Sequence, residues 1–452
     1  MSDKKEEKKP KLPPRQSLLV SDDFVAEAVV KDNKPTFVVY NRFTEEVTYQ
    51  PKFNHGGVEY LPLYNNDALL KFVKWPSDVA DFGSELQLFN ELREFIHKWC
   101  DMEEKYEKLA ALYVMFTWAY DEFMEVPYLR IMADLGSGKS RLGVQVMARI
   151  CYKAFTTISA STLSPVFRTL DFLGGTFVLD EADLGDKGDK NSELVQLLNS
   201  GYIDGIPVMR TEMTANGHEA KLYKVFGPKI IISREHFKDA ALESRCLYVK
   251  LTDTKRKDIP YLMEKSIDKA AEGIRNKLLM WRFKGYGTRR DNVDLSFAEL
   301  DVPSRLKQLL IIVSGIIEDP EIKVMLKSLG LSFKQDHIEQ RADSIEGEIV
   351  EILLKKAAAT GLTINFIECG EIADEFNLGK DHKEQKKARS IGWYLRERIG
   401  IKTETHKTSN LRGITIDFET MKSLAGKYGL DYILTQREKL LATELPTNDY
   451  NW

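Results

Sequence analysis

The 452-residue chain has only four cysteines, Cys100, Cys151, Cys246 and Cys369, and no two stand at CxxC spacing. That scarcity excludes a disulfide-built scaffold and a thiolate zinc site, and leaves isolated thiols suited to a reducing compartment. Long apolar runs are missing as well. The longest, Leu109 to Tyr120, is well short of the roughly 20 residues a membrane span needs. There is no excess of positive charge. Lys and Arg number 65 against 69 Asp and Glu, a net −4, which excludes a uniformly basic nucleic-acid binder but not a local basic surface. Residues 1–16 are rich in Lys and Glu, carry Pro10, Pro13 and Pro14, and lack a signal-peptide core. A disordered tail and a cytoplasmic location are expected, with no membrane partner.

Against these absences one stretch carries a clear chemical pattern, Ala133-Asp134-Leu135-Gly136-Ser137-Gly138-Lys139-Ser140. It follows an apolar strand pattern, Tyr128 to Met132, and precedes a helical one, Arg141 to Ile150. That is the context of a phosphate-binding loop. Gly136 and Gly138 let backbone N–H groups converge on phosphate, and the helix N-terminus adds positive potential. Lys139 is expected on the β/γ-phosphates of ATP and Ser140 on Mg²⁺. Ala133 stands where such loops usually open with glycine. Ala133, Gly136, Ser137, Gly138, Lys139, Ser140 and Arg141 form the expected nucleotide-binding set. A second apolar strand pattern, Gly175 to Asp180, ends in Asp180-Glu181. Asp180 is expected to hold Mg²⁺ with Ser140, and Glu181 to orient or deprotonate the attacking water.

The remaining patterns place these motifs in a larger frame. Residues 17–75 read as β-rich, with Thr36–Tyr40 paired to Glu46–Tyr49 and a further strand at Val58–Leu61. Residues 84–124 read as two helices whose aromatics, Tyr113, Phe116, Trp118 and Tyr120, are core packing. After Asp180 come a helix at Glu193–Asn199 and a hairpin around Asn216-Gly217 carrying Arg210, Lys221 and Lys224. A strand follows at Lys229–Ser233, then a short helix near His236–Leu242 and a last strand after Arg245. Helices are expected at Ile259–Trp281 and from Val302. Residues 344–430 read as three helices, the third from Lys383 to Ile399, with strands at Ile401–Thr405 and Gly413–Phe418. That is the make-up of a winged helix. Residues 376–412 hold ten Lys and Arg against four acids, a net +6, so Lys383, Lys386, Lys387 and Arg389 are candidate DNA contacts.

In this order, the phosphate loop, the Asp180-Glu181 pair, the hairpin, Lys229–Arg234 and Leu242–Leu247 resemble an AAA+ ATPase. The likeness covers about residues 125–320. It is to the replication-helicase type of plasmids, phages and other mobile elements, similar to minichromosome-maintenance helicases. The resemblance implies an α/β fold: a P-loop AAA+ core with a helical lid, a small β-rich and helical N-terminal region, and a C-terminal winged-helix domain. The corresponding segments are 1–16, 17–124, 125–255, 256–343, 344–430 and 431–452. It also implies roles. Ser233 would be sensor 1, where Asn is more usual, and Arg245 an arginine finger acting on a neighbouring subunit. Arg305 would be the sensor 2 arginine, and Lys221 and Lys224 would be hairpin contacts to DNA. ATP and Mg²⁺ as cofactors, DNA as partner and a homo-oligomeric, hexameric ring follow from the same likeness. Two activities stay open: a helicase or translocase in DNA replication, and an ATP-switched initiator or loader that binds duplex without processive unwinding.

Overall fold

The structure, a computed structural model, describes residues 13–62, 67–132, 138–158, 163–180, 189–214, 217–233, 237, 239–251, 254–300, 302, 304–360, 362–382, 384–406 and 410–435. The chain divides into two compact units, Met1–Gly330 and Leu331–Trp452, with the division inside the helix Pro320–Ala342. Among the described residues no helix is long and apolar enough to cross a membrane.

The first unit opens on an antiparallel sheet of β1 (Leu18–Val20), β2 (Phe24–Lys31), β3 (Lys34–Asn41) and β4 (Val47–Gln50), in that order. The expected β3–β4 pair is present in the register Phe37↔Gln50 to Tyr40↔Val47. Asn41 makes its turn, its Oδ1 accepting the N–H groups of Phe43 and Thr44 at 2.9 and 3.0 Å. The strand expected at 58–61 does not extend this sheet. β5 (Phe53–His55) and β6 (Val58–Tyr60) pair only with each other. β2 escapes an alternation test because Val25 through Val29 are all buried, Glu27 included.

The second sheet has five strands, all parallel: β7 (Tyr128–Met132), β8 (Phe155–Ile158), β9 (Phe177–Asp180), β12 (Lys229–Ser233) and β13 (Cys246–Lys250). Their spatial order is β13-β7-β12-β9-β8. A separate hairpin, β10 (Val208–Thr214) with β11 (Gly217–Tyr223), is inserted before β12. A parallel sheet must be covered on both faces, so its strands read as unbroken apolar runs. Ile230, Ile231 and Ile232 are fully buried. The helix Glu104–Thr117 is buried along almost its whole length, and Tyr113, Phe116, Trp118 and Tyr120 are core residues. Tyr113 donates to Lys229 O at 2.8 Å and Trp118 Nε1 to Ile150 O at 2.9 Å.

Two helix boundaries depart from the periodicity. The helix expected from Ile259 runs from Ser266 to Gly285, because Arg141 captures the carbonyls of Pro260 and Tyr261 at 2.7 and 2.5 Å. In the second unit, the helix expected from Lys383 starts at Ala388. There Asn377 holds the backbone of Lys386 from both sides, accepting its N–H at 2.7 Å and donating to its carbonyl at 2.9 Å.

The second unit has a three-stranded sheet in the order β14 (Ile364–Glu368), β16 (Arg412–Ile416), β15 (Glu404–Thr405). Around it lie the helices Ile345–Ala359, Cys369–Phe376 and Phe418–Tyr428, and Ala388–Trp393 continuing as a π-helix over Tyr394–Ile399. Ile349, Leu353, Ile372, Ile391, Leu395 and Ile414 share one core. The strand β14 was not expected from the sequence, and β15 is shorter than the expected Ile401–Thr405.

A buried ion cluster joins the parts of the first unit. Glu27 of β2 meets Lys153 Nζ at 2.5 Å and Arg282 Nε at 3.3 Å, and all three side chains are fully buried. Tyr152 donates to Glu27 at 2.8 Å. Arg282 makes a two-pronged pair with Asp121 at 2.7 Å on each arm. Two cations thus answer two carboxylates. Burial opposes ionisation of Asp121, yet Arg282 outweighs it and keeps the carboxyl below its ordinary value. Burial lowers the Lys153 ammonium, and Glu27 opposes that shift. Removing one member leaves uncompensated charge, so Glu27→Ala is expected to cost about 3–5 kcal/mol, read as a lower urea midpoint.

Lys229 is buried differently. Its ammonium donates to the carbonyls of Gly227, Val225 and Gly201 at 2.9, 3.0 and 3.3 Å, and burial pushes its pKa down to about 7. Between there and the ordinary lysine value of about 10.4, the unfolded chain binds a proton that the folded chain does not. Stability should therefore rise with pH across that window. Lys229→Met should flatten the rise in denaturant titrations repeated from about pH 7 to about pH 10.

Candidate nucleotide site

Parallel register brings the expected phosphate-binding and acidic residues to one edge of the second sheet. Ser233 pairs with Met132, and Asp180 with Ile158, so β7, β9 and β12 end together. The crevice outside the carboxyl ends of parallel strands is where α/β sheets bind ligands. The helix after β7 starts there. Ser140 Oγ donates to Asp180 Oδ1 at 3.2 Å, joining two residues forty positions apart in sequence. Gly138 has φ +83°, and a Cβ there would meet nothing within 4 Å among the described residues. Ala133, Gly136, Ser137 and Glu181 lie outside the described residues.

The helix is held unusually close to the sheet. A side chain at Gly143 would come within 2.5 Å of Ile232 Cδ1 and 3.1 Å of Ile131 Cδ1. The turn Arg141–Met147 is wound as a π-helix before Ala148–Ile150, a distortion frequent at functional sites. Arg141 turns toward the Pro260 and Tyr261 carbonyls, so its guanidinium fastens the segment before Ser266–Gly285 to the start of this helix.

Ser233 is at the same edge, and its hydroxyl is held. It accepts from Arg130 Nε at 2.9 Å. Arg130, on β7, is fully buried, pairs with Glu243 and lies 3.8 Å from the Phe237 ring centroid. Glu243 in turn accepts the Phe237 N–H at 2.9 Å. Sequence reading passed over Arg130 as one residue of an apolar strand. The signal was there: an arginine in Tyr-Leu-Arg-Ile-Met must be satisfied from inside the fold.

The expected arginine finger, Arg245, and the expected sensor 2 arginine, Arg305, are elsewhere. Cys246 pairs with Tyr128, and Tyr128 N–H donates to Arg245 O at 3.0 Å. Arg245 is therefore at the opening edge of the sheet, four residues of β7, about 13 Å, from the edge that holds Asp180. Its guanidinium bonds to Asn199 and lies 5.3 Å from the Tyr202 ring, with Nε buried and unpartnered among the described residues. Arg305 is 5.8 Å from the same ring and donates to Gln308 at 2.6 Å. Tyr202 donates to Glu125 at 3.3 Å, and burial, with Glu125 beside it, pushes its hydroxyl up to about 12. The structure thus gathers Arg245 and Arg305 together around Tyr202 and brings neither to Ser140 and Asp180.

The basic positions on the hairpin are in surface pairs. Lys221 lies 3.9 Å from Glu212 and Lys224 3.1 Å from Asp204, contacts of small energetic weight. In the second unit Lys387 and Arg389 are exposed and Lys386 is half-buried; Lys383 is outside the described residues.

Arg130 satisfies Ser233, Glu243 and the Phe237 face at once, which one ammonium cannot do. Arg130→Lys is expected to lower stability by about 2 kcal/mol, measured by urea unfolding.

No protein-family profile matches the chain, and no curated protein sequence matches it. Solved structures similar to it include the A-form apo structure of the NrS-1 C-terminal region, 14% identical, covering 86% of this chain and 96% of that one, TM-score 0.38. A full-length MCM homolog from Methanopyrus kandleri is 11% identical over 70% of this chain and 75% of its own, TM-score 0.32. JCV helicase, solved with a small acetamide compound bound, is 12% identical over 52% of this chain and 68% of its own, TM-score 0.26.

Proposed function

We propose that this chain is an ATP-hydrolysing AAA+ motor that acts on DNA as a helicase or translocase, in a ring whose nucleotides lie between neighbouring subunits. The sequence resemblance gives the setting, DNA replication of a mobile element. The observation that carries the reading is the hydrogen bond from Ser140 to Asp180, 3.2 Å long, at the carboxyl edge of a parallel sheet and the start of a helix. A hydroxyl and a carboxylate oxygen at that separation are hard donors of the kind Mg²⁺ takes alongside water and phosphate. Gly138, at φ +83°, suits close approach of the backbone to a phosphate group. The residues present therefore fit Mg²⁺-ATP, held by Gly138, Lys139, Ser140 and Asp180.

When bound, Mg²⁺-ATP supplies the phosphoanhydride to be cleaved and neutralises charge on its leaving oxygens. The protein's part is positioning. Lys139 adds a cation beside the phosphates, Gly143 fixes the helix that carries it against Ile131 and Ile232, and Glu181 accepts the proton of the attacking water. Ser233, held by Arg130, is the polar group at the end of the neighbouring strand. Arg245 and Arg305, around Tyr202 at the other edge, suit a neighbouring subunit's nucleotide better than their own. Movement of subunits would carry the hairpin with Lys221 and Lys224 along DNA, and the second unit, read as a winged helix, would anchor or orient it.

Steady-state ATPase assays with and without single-stranded DNA test this. Hydrolysis should rise with single strands and vanish in Lys139→Ala, while Glu181→Gln should keep ATP binding and lose turnover. Normal turnover by Glu181→Gln discards the assignment. Lys139-dependent hydrolysis indifferent to DNA moves the reading to an initiator or loader. The position of Arg245 adds a sharper test. Arg245→Ala alone should lose about 10³-fold or more, yet mixing it with Lys139→Ala should recover activity, because intact halves then meet across interfaces. No recovery on mixing would argue against action in trans.

A further inference from the structure

The basic residues described in the 376–412 segment are of two kinds, apart from the exposed Lys402. Lys380 is paired with Glu348 at 2.6 Å and Arg398 with Glu346 at 2.7 Å. Arg396 and Arg412 both donate to Thr403 Oγ1, at 3.1 and 2.9 Å. These four are spent on holding their own unit together. Lys386, Lys387 and Arg389 are not: among the described residues no ion pair or side-chain hydrogen bond engages them. Three unpaired cations thus stand within residues 386–389.

At that place a recess of about 430 Å³ opens, lined by Lys386, Arg389, Ser390, Trp393 and Tyr394. Its size lies within the range of small-ligand pockets, about 300–1,000 Å³, and among the described residues no carboxylate lines it. Arg389 and Trp393, four apart on one helix, face the same way. Trp393 is 47% exposed, whereas Trp75, Trp99, Trp118 and Trp281 are at most 5% exposed. Tyr394 touches it edge-on, with centroids 5.1 Å apart and planes at 80°. That contact steadies the indole without a stacked ring covering it. The backbone turns into a π-helix immediately after Trp393.

One exposed tryptophan is unremarkable by itself. Here it forms a wall of a cationic recess free of carboxylates among the described residues. We propose that this recess binds an unpaired base of a single-stranded nucleic acid, stacked on Trp393, with the flanking phosphates held by Lys386 and Arg389. In a duplex both faces of a base are covered by its neighbours and only its edges are offered in the grooves, so an indole face has nothing to stack on. A stacking surface set among unspent cations selects single strands. The inference rests on nucleic acid as the partner in the proposed function, but not on ATP hydrolysis.

The test uses the full chain without nucleotide and three labelled probes: an oligothymidylate, an oligouridylate of equal length and a blunt DNA duplex. Binding is followed by fluorescence anisotropy across a salt series. Trp393→Ala should weaken single-strand binding by about 5- to 150-fold, leave duplex binding within about twofold and leave the salt slope unchanged. Trp393→Phe should restore most of the loss. Joint replacement of Lys386 and Arg389 by Ala should flatten the single-strand salt slope by about 0.7 per lost contact. A preference between the two single strands identifies the sugar accepted, and either supports the proposal. Indole emission gives a second readout, since quenching by the bound single strand should be lost in Trp393→Phe. Equal loss for duplex and single strands, unchanged binding with no Trp393-dependent quenching, or no binding of any probe by the unaltered chain would each overturn it. Hydrolysis indifferent to DNA, with this pattern intact, would sink the motor reading and leave the recess standing.

Discussion

The first unit depends on the charges shut inside it. Glu27, Lys153, Arg282 and Asp121 come from a strand of the first sheet, the turn before β8, the helix Ser266–Gly285 and the turn after Glu104–Thr117. Each charge would be very costly to bury alone, and together they cancel. The arrangement also explains the backbone at Lys153, which adopts φ +43°, a conformation that disfavours any side chain. Lys153 tolerates it because its ammonium there reaches Glu27 and the Ser17 carbonyl. Such a cluster fixes register more than it adds stability. A shift of any one element would strand a charge, so the β-rich start of the chain, the parallel sheet and the following helix hold one mutual arrangement.

That fixed arrangement gives the parallel sheet two chemically different edges. The carboxyl edge carries Ser140, Asp180 and Ser233, with oxygen atoms facing the start of a helix. The opening edge carries Arg245 and Arg305 around Tyr202. The two arginines and the oxygen-bearing residues are thus held at opposite edges of one layer. In the head-to-tail ring proposed above, such edges would meet between copies.

The second unit uses cations economically. Some of its cations are paired inside the unit, as at Lys380 and Arg398. Lys386 and Arg389, which have no such pair among the described residues, stand beside the half-exposed Trp393. The helix start is displaced to Ala388 because Asn377 takes up both backbone groups of Lys386, and that displacement is what puts Lys386 at the rim of the recess rather than on a helical turn.

Much of this was legible in the chain itself. Gly138-Lys139-Ser140 between an apolar strand and a helix, and Asp180 at a strand end, are local patterns whose meaning comes from spacing, and the Ser140–Asp180 contact needed only the two strands to run parallel. Alternation found β3 with β4, and helical spacing found the aromatic core of Glu104–Thr117. What the sequence could not carry were facts set by contacts distant in the chain. β2 is buried on both faces, so no alternation marks it, and the buried Glu27 reads like any surface glutamate until Lys153 and Arg282 meet it. Arg130 reads as an interruption in a strand until Ser233 and Glu243 close around it. Arg245 reads as an arginine finger and Arg305 as a sensor 2 residue, and only the sheet order puts both at one edge. Local spacing determines which groups a chain offers, because periodicity and turns act over a few residues. Tertiary packing decides which of those groups meet, because a buried charge takes the partner that the fold brings within reach.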